Sequence, residues 1–394
     1  MKKFLFKRDT FFATVFVFLV IYLLELITVN MEIFNPFVHS FRDFELTDLY
    51  YSKLKTKTSL DTNIILVNAE NLTRMEIAKK LAILNSYHPK VIGVDLLFRD
   101  KKDEHGDSSL MLALHENKNT VLPYSAGCLK ANARPCYTRI NSLFGKLYSG
   151  FIDICGDSAS TVREFYPFWK FRNGEDTSFD AKILALYDLT AFQNLKKRNR
   201  LKERINYFGN TNRYLHFNPG DITLENEQLS ILKNKIVLIG YFGYSDNGQY
   251  CNCEDRHFTP MNPKISGRSF PDMNGVTIHA NIISMTLNKN YINAMPYWLN
   301  FILAFILCYI NIAFLIYMFT SRIKWYHFFG IIVQFIASII ILLFVFYVYQ
   351  LFNYRIESTL AMVAIILSVE VLYFYNGLAV WLNKRFNFKT EMKH

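Results

Sequence analysis

Residues 63–98 read NIILVNAENLTRMEIAKKLAILNSYHPKVIGVDLLF, and this stretch decides the fold. Asn63–Ala69 is rich in β-branched residues and bounded by polar ones, which predicts a strand. Leu72–Tyr87 places Met75, Ile77, Ala78, Leu81 and Leu84 at helical spacing. Val91–Phe98 is apolar almost throughout, as suits a strand buried on both faces. Strand, helix and strand in this order form a unit whose two strands lie parallel and whose crossover is right-handed.

Working outward, Ser108–Asn117 predicts a short helix and TVLPYSA a third strand. GFIDICG and TVREFYPFWKF, separated by DSAS, predict an antiparallel pair. Phe179–Leu195 reads as one helix, and the basic run KKRNRLKER after it as a solvated face or loop. INYFG and YLHFN read as short strands. Lys235–Phe242, KIVLIGYF, is a buried strand followed closely by Gly243, and Gly275–Leu287 is a helix. The expected fold class is an α/β domain with a mixed, mostly parallel sheet and flanking helices, joined to four transmembrane α-helices.

The transmembrane expectation comes from four apolar segments. Of 394 residues 51% are hydrophobic, too many for an ordinary soluble protein and too few for a pure transporter. Phe11–Val29 has about the 20 residues that cross a bilayer. It follows Lys2, Lys3, Lys7 and Arg8 and has no small-residue cleavage pattern after it, so an uncleaved anchor is expected rather than a signal peptide. The other segments are Tyr297–Thr320, Phe328–Phe352 and Thr359–Leu382. Positive charge in short loops stays cytoplasmic. The basic start, Arg322 and Lys324 in SRIKWYH, and the tail NKRFNFKTEMKH therefore predict both termini inside and residues ~30–296 outside, in a bacterial inner membrane. The net charge of +11 is read as topology, with no nucleic-acid partner. The organisation is 1–30 for the N-terminus and first helix, 31–296 for the outer domain, 297–382 for three helices and 383–394 for a cytoplasmic tail.

Glu25 and Glu370 fall inside predicted spans. An intramembrane carboxylate is costly and finds a partner. Asn300, Asn311 and Gln334 are the polar candidates on other helices, and the pairing is either a docking point for a membrane partner or a simple interhelical hydrogen bond.

The order of the pieces resembles the CHASE type 2 domain family, an extracytoplasmic sensor module of bacterial signalling proteins. The stretches that carry the resemblance are FELTDLYYSKL, IILVNAE, AKKLAILNSYHPKVIGVDLLF, DSSLMLAL with NTVLP, GFIDICGDSASTVREFYPF, LKNKIVLIGYFG and PDMNGVTIHANIISMTL. The IVLIG strand followed by GVTIHAN is the more specific pair. One helix before the domain and three after is also the family's arrangement. Such domains usually precede a cyclase, kinase or phosphatase. Here some twelve residues follow the last span, so the expectation is that a signal passes to another protein or that the domain has another job.

Asp48, Asp95, Asp157, Arg163, His279 and Asn281 are the polar residues inside these stretches. In open parallel sheets ligands gather at the carboxyl ends of strands. Asp95, His279 and Asn281, with Gly240 and Gly243 allowing close backbone approach, are candidates to line a small-molecule site. Asp157 with Arg163 is expected to brace a turn, and Asp48 to be structural. Motifs for serine hydrolases, zinc proteases, phosphate loops and dinucleotide sites are absent from the sequence, so no catalysis and no cofactor is expected. Cys128 and Cys136 flank LKANARP and are the disulfide candidate, in an oxidising compartment. Cys251 and Cys253, with His257 nearby, are badly spaced for zinc, so no metal is expected, and Cys155 is a rival disulfide partner. Two functions remain open. One is a sensor that relays an outside signal to a cytoplasmic signalling protein. The other is a non-catalytic scaffold docking an envelope complex. The expected partners are the lipid bilayer, one such protein and a small-molecule ligand.

Overall fold

The computed structural model describes residues 7–26, 45–55, 59–98, 100–125, 144–153, 160–171, 174–242, 255–263, 270–321, 325–390 and 392. It divides into two units, Pro36–Ile292 and Met1–Asn35 with Asn293–His394. Helix α1 (Arg8–Leu26) belongs to the second.

The Pro36–Ile292 unit begins with α2 (Leu46–Leu49), which continues into a wider turn over Tyr50–Leu54. Then follow β1 (Asp61–Asn68), α3 (Arg74–Ser86), β2 (Val91–Val94), α4 (Glu104–Glu116), β3 (Thr120–Tyr124) and β4 (Tyr148–Phe151). After short strands β5 (Glu164–Phe165), β6 (Phe168–Phe171) and β7 (Gly174–Thr177) come α5 (Phe179–Tyr187) and α6 (Leu189–Lys197). The unit finishes with β8 (Glu203–Arg204), β9 (Tyr214–Phe217), β10 (Ile236–Gly240), β11 (Arg256–His257), β12 (Met273–Asn274) and α7 (Gly275–Leu287).

Six strands form one sheet in the order β4-β3-β2-β10-β1-β9, with every pairing parallel. The late strand β10 inserts between β1 and β2, so the strand order reverses there. Side chains alternate across a strand. Ile65, Val67, Ile92, Val94, Val237 and Ile239 therefore share one core with Leu81 and Leu84 of α3 and Leu110 and Leu114 of α4. The opposite face carries α5 and α7: a Cβ on Gly93 would lie 2.6 Å from Ile183 of α5. The α3 start is set by Thr73, whose side chain accepts from the Glu76 N–H while Glu76 reaches back to the Thr73 N–H.

Several expectations need correction. The strand from Val91 stops at Val94; Asp95 N–H still donates to Ile239 O at 2.7 Å, and then the chain leaves the sheet. The stretch 150–156 does not pair with 161–171 among the described residues. Instead β4 joins β3 in parallel, β6 pairs with β7, and β5 pairs with β8. Gly150 lets β4 lie close against the start of α5, where a Cβ would sit 2.5 Å from Phe179 N. The expected helix Phe179–Leu195 is two helices. Asp188 breaks it with extended backbone, and its Oδ1 accepts from Thr190 N and Ala191 N. Residues 205–209 form no strand, because Asn281 satisfies part of that backbone. The basic run is largely exposed, as expected, and within it Arg198 and Arg200 converge on Glu203, which is 1% exposed, while Lys196 meets Glu175.

The second unit has four helices long and apolar enough to cross a membrane: α1, α8 (Tyr297–Thr320), α9 (Tyr326–Phe352) and α10 (Thr359–Phe386). Ala13 and Val17 of α1 pack with Cys308, Ile312 and Leu315 of α8 and with Ala364 and Leu372 of α10. A buried polar knot links three helices. Asn311 Nδ2 donates to Ser368 Oγ at 2.5 Å, and Gln334 Nε2 to Ser368 Oγ at 3.1 Å and Ile365 O at 2.7 Å. Asn300 donates to Met295 O and accepts from Glu357 N. The three candidate partners of Glu370 are thus engaged elsewhere, and Glu370 meets His327 instead, at 3.2 Å. Glu25 is exposed on α1. Asp9 accepts from Tyr375 Oη and Thr390 Oγ1. Short strands β13 (Asn293–Ala294) and β14 (Tyr354–Arg355) pair in parallel.

Candidate functional site

At the carboxyl ends of β1, β10 and β2, where the strand order reverses, the first turns of α7 approach the sheet. Gly240 makes this approach possible: a Cβ there would lie 2.6 Å from Val276 Cβ. The close fit brings His279, one turn into α7, over the sheet edge. His279 Nδ1 is 2.9 and 3.1 Å from the two Asp180 carboxylate oxygens, and its Nε2 is 4.0 Å from Asp95 Oδ1. Its ring meets Phe179 edge to face. Asp180 lies in the first turn of α5, where helix polarity favours an acid. Asp255 caps α7, accepting from Gly275 N at 3.2 Å, and sits 3.4 Å from His257. Side chains of His279, Asp95 and Asp180 are each less than a tenth exposed.

Three carboxylates and two imidazoles thus share one corner. Burial drives the Asp95 carboxyl up to about 6, opposed by the His279 charge and reinforced by Asp255 and Asp180. Burial alone would lower His279, but Asp180, Asp95 and Asp255 outweigh it and raise the imidazole to about 9. At neutral pH His279 is therefore an imidazolium held by Asp180, and Asp95 is the member of this corner raised toward neutrality. The corner can register the arrival of a proton, or of a charged ligand group. Among the described residues no set of three His, Cys, Asp or Glu side chains could hold a metal ion.

The sequence candidates separate into those that meet here and those that do not. Asp95 and His279 come together, with Gly240 on the neighbouring strand end. Asn281 faces elsewhere. Its Oδ1 accepts from Phe208 N and Gly209 N, and its Nδ2 donates to Gly209 O and Thr277 O and weakly to Met273 Sδ, so its capacity goes mainly to backbone. Gly243, Asp157, Cys128, Cys136, Cys155, Cys251 and Cys253 lie outside the described residues. Arg163 meets Asp48 with two hydrogen bonds, one from Nε at 3.1 Å, and approaches Glu45 at 3.8 Å. Sequence reasoning passed over Asp180 and Asp255; the only signal was an acid at the start of a helix for Asp180, while Asp255 reaches the α7 start from 20 residues away.

A second feature joins the ends of this unit. Arg204 bonds Glu45 and Thr47, and Asn206 Oδ1 accepts from Tyr51 Oη at 3.0 Å and Lys55 Nζ at 3.3 Å. Burial lowers Lys55 to about 8. On its other side Asn206 Nδ2 donates to Asn290 O, Arg200 donates to Ile292 O, and Arg198 stacks 4.2 Å from the Tyr291 ring centroid. The segment 198–206 therefore holds both the entering chain at 45–55 and the departing chain at 290–292.

The sequence model of one family, the CHASE2 domain, matches residues 48–315, from the Asp48 clamp through the sheet and α7 into α8. The chain belongs to the CHASE2 domain family. Comparison with curated proteins and with solved structures gives no match. CHASE2 is a sensor domain, and with its four apolar helices this chain is a membrane protein of sensory type. In this CHASE2 domain the buried charge corner, the Asp48–Arg163 clamp and α7 all fall within the matched residues.

Proposed function

We propose that this CHASE2 protein senses an extracytoplasmic signal at the Asp95–Asp180–His279 corner and relays it through its helices to a separate partner, without catalysing a reaction itself. In this reading residues ~30–296 face the periplasm of a bacterial cell and both termini face the cytoplasm. The positive charges flanking the spans support that orientation. One observation carries the proposal. Helix α7 holds His279 in its first turns and ends at Leu287, only the nine residues Asn288–Pro296 before α8 begins. A change of charge at Asp95 acts on α7 directly, and the short connector leaves little slack to absorb a resulting movement. The link to Arg198, Arg200 and Asn206 supports the same route.

The test is a mild-detergent pull-down of the tagged full-length chain from native membranes, with mass spectrometry of what is retained. A cytoplasmic kinase, cyclase or regulator is expected, in an amount that Asp95→Asn changes. Recovery of periplasmic or envelope components alone would replace the sensor with a docking platform built on the same fold.

A further inference from the structure

Glu370 and His327 form an acid–base pair on the outside of the membrane unit. Their side chains are 61% and 50% exposed, although Glu370 lies within the apolar helix α10, fourteen residues before Lys384. Among the described residues they hydrogen-bond only each other, through Nε2 and Oε1. One carboxylate oxygen and one ring nitrogen per chain stay available. Glu370 lies well inside α10, where an ionisable group normally turns toward protein, and His327, second in α9 and last in SRIKWYH, meets it from the membrane edge, so the outward face presents an acid and a base together. The flanking residues extend that surface. Ile366, Tyr373, Phe374 and Trp381 are exposed at helical spacing around Glu370, and Ile331 follows His327 by one turn. Gly377 lies in the same stripe with nothing near its missing Cβ, which lets a second backbone approach closely.

The chemistry of the patch selects the occupant. It carries one acid and one base side by side, so it is complementary to itself under a two-fold rotation. Rotation places the Glu370 of one copy on the His327 of the other, twice. We infer that this face of α9 and α10 is the contact between two copies of the chain in the membrane, with Glu370 and His327 exchanged across the two-fold axis. The contact does not depend on the sensing role, and its test does not read signalling.

Full-length chains carrying C-terminal donor or acceptor fluorescent proteins are reconstituted in lipid vesicles over a series of protein-to-lipid ratios, and energy transfer reports association. Wild type is expected to associate, and Glu370→Leu to weaken association about tenfold, since one substitution removes both symmetric contacts. The decisive arm mixes two variants. Glu370→His copies carry two bases and His327→Glu copies two acids. Each alone should associate poorly, and the mixture should recover transfer. Wild-type chains that remain separate at every ratio would overturn the inference. So would Glu370→Leu associating as wild type does, or a mixture no better than its components. The wild-type series decides even if a variant fails to fold.

Discussion

Replacing His279 by Gln tests whether the buried charge corner is built as described. Folding raises this imidazole from 6.5 to about 9. A base whose pKa is raised by folding holds its proton more tightly in the folded state. Its contribution is complete below pH 6.5 and is lost as pH climbs through 9. Each pKa unit is worth 1.36 kcal/mol, so the loss is about 3 kcal/mol across that window. For a domain of this size it corresponds to a fall in Tm of roughly 6–12 °C. Asp95 and Asp272, both raised to about 6, lose their contributions as pH rises from 3.8 through 6, mostly below this window. Gln does not titrate, so the variant should be less stable near pH 6.5, by about 3–5 kcal/mol for the buried carboxylate left unpaired. Between pH 6.5 and 9 its curve should be flatter than that of wild type, least so near pH 6.5, where Asp95 titrates higher once the opposing His279 charge is gone. The assay is thermal unfolding of full-length protein in nanodiscs by near-ultraviolet circular dichroism, at half-unit pH steps. Parallel curves for wild type and variant would refute the reasoning. Should His279→Gln not fold, Asp180→Asn keeps an acceptor, removes the charge and must also flatten the slope.

Other substitutions probe separate contacts. Gly240→Ala should cost about 1–3 kcal/mol by crowding Val276, and adding Val276→Ala should recover much of it, read as paired Tm values. Asp48→Ala removes the main partner of the buried Arg163 and should cost about 3 kcal/mol, with faster protease cleavage in residues 45–55. Ser368→Ala takes away the hydroxyl shared by Asn311 and Gln334 and should destabilise the helix unit by about 1 kcal/mol in detergent titration.

The parallel sheet was legible because its strands are short apolar runs with turn residues between them, and burial on both faces leaves that mark. The four spans were legible for the same reason. Sequence did not show where Val91–Phe98 stops, since Leu96 and Phe98 remain apolar after the chain has left the sheet and pack on the core from outside it. Nor did it show the use of polar groups. Asn281 and His279 are two residues apart on one helix, yet one serves backbone and the other a charge corner, a difference set by the chain that packs opposite each. Asp180 stayed hidden because an acid near a helix start has a sufficient local explanation. Its partner lies 99 positions away.

The two-residue ladder between Asn293–Ala294 and Tyr354–Arg355 bears on what kind of motion can be transmitted. Asn293 N–H donates to Asn353 O and Met295 N–H to Arg355 O, both at 2.9 Å. Residue 353 ends α9 and residue 359 begins α10, so the stretch that leads into α8 is fastened to the link between the other two helices. A pull arriving at Asn293 is shared like the load on a cable tied to two posts. It cannot drive α8 alone as a piston. Under the proposed relay, what would reach the far side of the bilayer is a change in spacing or tilt among three helices, a signal carried by the shape of the bundle and open to any partner resting against more than one of them.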